Sequence, residues 1–235
     1  MKKLLLAGLL AATTMGANAT VITFDDSSFN TSTTIANGVA FDSIDLAIGG
    51  GSIIQTGSTF TETGSLNIGT FDIGGVPVFP TGYPSFKGYT VSMDYVLNGT
   101  AGFVGADHIG VNFAGGSAAL FANGTTLLGN LSFGHGSCDA YTNRDGSCSL
   151  TMGFTPVAGY FALNGVDLLK HIQKGAGAWL NFAMTVQAIS GYNTVGTAFS
   201  VTHDGNATIN VPEPTTVAIL GLGLLGFAGA RRRKS

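Results

Sequence analysis

Apolar and polar residues alternate along most of this chain. Tyr89, Val91, Met93, Tyr95 and Leu97 fall on one face, and Thr90, Ser92 and Asp94 on the other. A period of two is the repeat of a strand with one face buried. The stretch 179–189 repeats it, with Leu180, Phe182, Met184, Val186 and Ala188 on one side and Asn181, Thr185 and Gln187 opposite. Asn-Gly pairs stand at Asn37-Gly38, Asn98-Gly99, Asn123-Gly124 and Asn164-Gly165, and each predicts a hairpin turn between alternating runs. Phase changes near Asp42 and Ser43 and near Gly69 predict a β-bulge at each. Further strands are expected at 21–24, 127–133, 150–154, 159–163, 198–201 and 207–211, giving about twelve short strands. Residues 166–174 fit one or two helical turns, and the prolines from Pro77 to Pro84 predict a surface loop. Many short antiparallel strands predict an all-β domain over residues 20–210, an antiparallel β-sandwich of jelly-roll or lectin-like type.

Composition places this domain outside the cytoplasm. Charged residues make up 10% of the chain, against about 25% in ordinary globular proteins, and 36 of 235 residues are glycine. Residues 20–210 hold four cations and twelve acids, a net charge of 4 − 12 = −8. Such a surface argues against nucleic acid as a partner. Residues 1–19 read as a signal peptide: Lys2 and Lys3, an apolar stretch, then Ala17 and Ala19 framing a small-residue cleavage site. Cys138 and Cys148, flanking the turn signal at 143–146, are expected to form a disulfide in an exported chain.

The C-terminus combines three signals in order. Val211, Pro212, Glu213 and Pro214 form an extended strip, because proline lacks an N–H and biases the preceding residue away from helix. A Leu/Gly-rich run follows, expected as a transmembrane helix over 215–230, and Arg231, Arg232, Arg233 and Lys234 form a membrane stop. The helix is short, at roughly 21 to 24 Å against about 30 Å of hydrocarbon. The cations should stay cytoplasmic, leaving everything before Val211 on the far side of the membrane.

This order of motif, helix and basic end resembles the PEP-CTERM sorting signal of Gram-negative bacteria, over residues 211–234. The family's motif maps onto Pro212, Glu213 and Pro214, with Thr215 where serine is common. The resemblance implies the secretion machinery and exosortase, a membrane transpeptidase, as partners. It also implies a transient membrane tether, removal of the helix, and delivery to the cell surface or an exopolysaccharide matrix.

The body offers little chemistry. Asp25, Asp26, Asp204 and Asn206 are candidate calcium ligands, since carboxylates and amide oxygens are what calcium takes. His108, His135, His171 and His203 show no metal spacing, and no Gly-x-Ser-x-Gly occurs. Glu62 is the one glutamate of the body, so no carboxylate pair suggests a glycosidase. Tyr83 and Phe86 are the candidate glycan contacts, whereas Tyr89 and Trp179 are expected in the core. The expected function is therefore an exported, non-enzymatic surface or matrix protein linked to exopolysaccharide, biofilm or floc formation. Its alternatives are a carbohydrate-binding module and a secreted hydrolase, and no cofactor other than calcium is suggested.

Overall fold

Period-two alternation continues through glycines that carry no side chain to reveal it, so the strands run longer than the pattern alone indicates. A computed structural model of the chain describes residues 20–31, 38–78, 87–189 and 198–211. Eight long strands form a continuous meander: β3 (Ser43–Thr56), β4 (Thr59–Ile73), β6 (Val91–Phe103), β7 (His108–Ala122), β8 (Thr126–Tyr141), β9 (Gly146–Pro156), β12 (Trp179–Val186) and β13 (Ala198–Asn210). Each pairs antiparallel with the next, and β13 returns to pair with β3 from Thr208↔Ser43 to Ala198↔Ile54. The sheet closes on itself.

The expected β-sandwich is thus corrected to a closed, up-and-down, eight-stranded β-barrel. A one-face-buried meander has the same residue pattern in either architecture. What separates them is the pairing of the first long strand with the last, about 150 residues away, and local periodicity carries no record of it. Closure also leaves no free sheet edge. The inward positions are mostly apolar, including Leu66, Met93, Leu97, Leu150 and Phe182, each under 6% exposed. The outward positions of β4 and β6 are mostly polar, including Thr61, Thr63, Ser65, Asn67, Asp94 and Asn98, all exposed, with Val96 the apolar exception on β6. That is the reverse of a lipid-facing barrel.

A small sheet caps one end. Its strands β1 (Ile22–Phe24), β2 (Val39–Phe41), β10 (Phe161–Leu163) and β11 (Val166–Asp167) lie in the order β11-β10-β1-β2. Phe24 packs against Phe161 and Phe71 with ring centroids 5.2 and 5.7 Å apart, and Phe41 meets Phe71 at 4.6 Å. These rings seal that end. The phase change at Asp42 is the crossing from cap to barrel rather than a bulge within one strand. At Gly69 a bulge does form: Asp45 pairs with Thr70 and Leu46 with Ile68, leaving Gly69 extra. The short β5 (Val76–Pro77) adds to the end of β4, and its proline fits that peripheral position.

Two Asn-Gly pairs turn as expected, Asn123-Gly124 between β7 and β8 and Asn164-Gly165 between β10 and β11, all with positive φ. Asn98-Gly99 does not turn. It lies inside β6 at a register shift, where a Cβ on Gly99 would come 2.1 Å from the Asn112 carbonyl oxygen. Likewise Asp204-Gly205-Asn206 is a bulge inside β13, not a turn between two strands. The expected helix is α1 (Leu168–Gln173), N-capped by the Asp167 carboxylate, which accepts from the Leu169 N–H at 2.8 Å. The signal peptide, the loop at 79–86, the Asn37 turn and the C-terminal helix lie outside the described residues, and no described helix is long and apolar enough to cross a membrane.

Candidate functional site

Among the described residues, Glu62, Tyr95 and His203 form a hydrogen-bonded polar cluster inside the barrel, with the buried Gln55 nearby. Glu62 lies on β4 in phase with Phe60, Leu66 and Ile68, and His203 lies on β13 in phase with Val201 and Ile209, so both side chains must point inward. Glu62 is 2% exposed and His203 6%. Glu62 Oε1 accepts from the Tyr95 hydroxyl at 2.7 Å and faces His203 Nε2 at 2.8 Å. Burial, followed by the charge of Glu62 and the hydrogen bond to it, pushes the Tyr95 phenol well above its ordinary value, so it remains an O–H donor.

The cluster is built into the strand pairing. A Cβ on Gly64 would lie 2.5 Å from the Tyr95 hydroxyl oxygen, and one on Gly51 2.9 Å from it. Glycine at these two facing positions makes the room that the phenol occupies. Around the cluster is a cavity of about 30 Å³ for water centres, lined by Gln55, Glu62, His203 and apolar side chains that include Ile53, Phe60 and Ile109. A second, of about 20 Å³, adjoins it across His203 and Phe113.

The first cavity lies toward the end of the barrel opposite the cap, where the β3–β4, β6–β7 and β8–β9 hairpins turn. Cys138 and Cys148 form part of its wall. They face each other directly on β8 and β9, with Cα atoms 4.0 Å apart, and form the expected disulfide. At the same end the Ile189 N–H donates to the Tyr141 carbonyl at 2.8 Å, holding the buried Ile189 against the cavity.

The candidate calcium ligands are divided between the two sheets. Asp25 and Asp26 follow β1 in the cap. There the Asp25 carboxylate accepts from the Ser27 N–H at 3.0 Å, and Asp26 pairs with Lys87 and accepts from the Tyr89 hydroxyl at 3.0 Å. Asp204 and Asn206 lie on β13, with Asn206 opposite Asp45. Burial, then the charges of Asp72 and Asp204, raises the Asp45 carboxyl above its ordinary value. Among the described residues no group of three or more His, Cys, Asp or Glu is placed to hold a metal ion. Tyr83 and Phe86 lie outside the described residues.

Trp179 corrects another expectation. Tyr89 is in the core at 2% exposure, but Trp179 opens β12 pointing outward, 40% exposed. Its indole reaches across the barrel wall, where Cβ atoms on Gly153 and Gly134 would lie 3.3 and 3.7 Å from Cζ3. The interior cluster was missed because Glu62, Tyr95 and His203 are far apart in sequence. The available signal was phase, since the body's one glutamate sits where β4 places Phe60 and Leu66.

Thr20 and Val211, which flank the body, meet at the cap. The Thr20 N–H donates to the Ile209 carbonyl at 3.1 Å, and Val211 is buried at 6% exposure, so both residues lie against the barrel wall. No curated protein and no solved structure matches the chain. Residues 210–234 match the family model of the PEP-CTERM protein-sorting motif. The chain therefore carries a PEP-CTERM protein-sorting motif, the signal of an exported exosortase substrate.

Proposed function

We propose that this is a non-enzymatic protein of the cell surface or extracellular matrix, associated with exopolysaccharide, biofilm or floc formation. Once cut at its Pro-Glu-Pro motif, its barrel is the mature product. The observation that carries this reading is the placement of the Pro-Glu-Pro of the sorting motif one residue beyond a closed, capped barrel whose strands are complete by Asn210. Val211, the residue before that motif, lies at the capped end, opposite the larger cavity. The inward direction of Glu62 and His203, and the use of Glu62 Oε1 by two partners, support a role other than hydrolysis. Deleting the gene in its host should reduce the retention of polysaccharide in the floc or biofilm without affecting growth. Unchanged retention would remove the matrix part of the reading.

Carbohydrate binding is a second reading, favoured by Trp179. An exposed indole resting beside glycines, flanked on the outer wall by Ser132, Thr151 and Asn181, offers an apolar face and uncharged hydrogen-bonding groups to a sugar ring. Trp179 is the only tryptophan in the chain, so its fluorescence reports this surface alone. Titration with a soluble neutral glucan should shift and quench its emission. Emission that does not respond to glucans at any concentration would end this reading and leave the export reading standing.

A further inference from the structure

Nδ1 of His203 is buried with no hydrogen-bond partner. The other ring nitrogen faces the Glu62 carboxylate at 2.8 Å. Because that carboxylate accepts, Nε2 carries the hydrogen, and Nδ1 is the ring nitrogen left without a partner, one that a hydroxyl, both donor and acceptor, can meet in either ring state. Native folds retain few dry acceptors, and each one calls for an explanation. Here the ring borders two adjoining cavities, of about 30 and about 20 Å³ for water centres. That is more than the roughly 10 to 15 Å³ one water needs. An eight-stranded barrel is just wide enough either to be filled by side chains or to hold one small ligand.

We propose that the barrel interior binds a small uncharged molecule, mostly hydrocarbon, with one hydroxyl group that hydrogen-bonds to His203 Nδ1. The walls set the class. Ile53, Phe60, Ile109 and Phe113 favour hydrocarbon, and a charged molecule would lose its hydration among them. The Glu62 charge is already met by Tyr95 and His203, so it does not call for a cation. The size of the space limits the ligand to a few heavy atoms, an alcohol or phenol of one ring.

This inference goes beyond the export reading and is tested apart from it, by calorimetric titration of the protein recovered from its exporting host. Phenol should bind saturably at one site, and anisole, of similar shape but without the donor, about tenfold more weakly. Ala140→Leu, which fills the cavity from β8 and leaves His203 and Glu62 in place, should abolish phenol binding. In wild-type protein labelled at histidine nitrogen, phenol but not anisole should shift the Nδ1 resonance of the histidine whose Nε2–H is protected from exchange. Equal affinity for phenol and anisole, binding that survives Ala140→Leu, or an unmoved Nδ1 would overturn the proposal. An unmoved Nδ1 would assign the space to resident water. None of these readouts depends on sorting.

Discussion

Thr20 and Val211 hydrogen-bond to each other across 191 residues: the Thr20 hydroxyl reaches the Val211 carbonyl, and the Val211 N–H reaches that hydroxyl, both at 3.4 Å. The expected signal-peptide cut lies just before one of them and the Pro-Glu-Pro of the sorting motif just after the other. Cuts at those two places would both fall at the capped end and would leave every residue of the barrel in place. N-terminal sequencing of the exported protein should begin at Thr20. Thr20→Ala removes two long hydrogen bonds at a half-buried site and should cost about 0.5 to 1 kcal/mol in urea unfolding.

The interior cluster should be far less tolerant. Glu62→Ala strips the acceptor from both the Tyr95 hydroxyl and His203 Nε2 in a water-excluded interior, and about 3 to 5 kcal/mol of stability should be lost. Glu62→Gln keeps one acceptor oxygen and should lose less. Equilibrium unfolding of the two variants beside the wild type checks the order, and equal stability of all three would show that the cluster contributes nothing.

Asp45 gives the barrel a pH dependence. Its folded-state pKa is raised by burial and by its neighbours Asp72 and Asp204, so the folded state binds the proton more readily than the unfolded chain. The penalty is fully present above the raised value, fades as pH falls through it, and is gone below the ordinary value of 3.8. Asp45→Asn should raise the melting temperature at neutral pH and reduce the wild type's gain in stability on mild acidification. Thermal melts at several pH values would decide it. Asp45 is solvent-exposed, so the effect should be small and weaken in salt.

The Cys138–Cys148 bond closes a hairpin that already has its ladder, from Asp139↔Ser147 back to Gly129↔Pro156. Its removal should cost up to about 2.5 to 3 kcal/mol, the loop-closure value for a loop of this length, without opening the barrel. A Cys138→Ala/Cys148→Ala variant should keep its strand content by circular dichroism while melting earlier.

Residues with strict alternation and strong punctuation were legible in the sequence. The Tyr89–Leu97 face, the β12 face, the turns at Asn123 and Asn164, the bulge at Gly69 and the helix after Asp167 all follow from local rules. Barrel closure was not legible, because Thr208↔Ser43 pairing is a contact between distant segments with no local mark. Asn98-Gly99 misled for a related reason: Gly99 is needed for close approach to Asn112 rather than for a turn. Trp179 misled because a tryptophan was expected in the core, although its position in β12, out of phase with Leu180 and Phe182, puts it outside. The sorting motif was legible in full, since proline, apolar length and terminal charge act through local chemistry.

The most direct test of the account is the mass of the mature protein in a host with and without exosortase. With the enzyme, the wild-type chain should lose its segment after the Pro-Glu-Pro motif and leave the membrane fraction. Glu213→Ala, deletion of residues 217–234, or loss of the enzyme should each stop that change. A wild-type chain that keeps its full C-terminal mass in the exosortase-containing host, or one still shortened when the enzyme is absent, would contradict it.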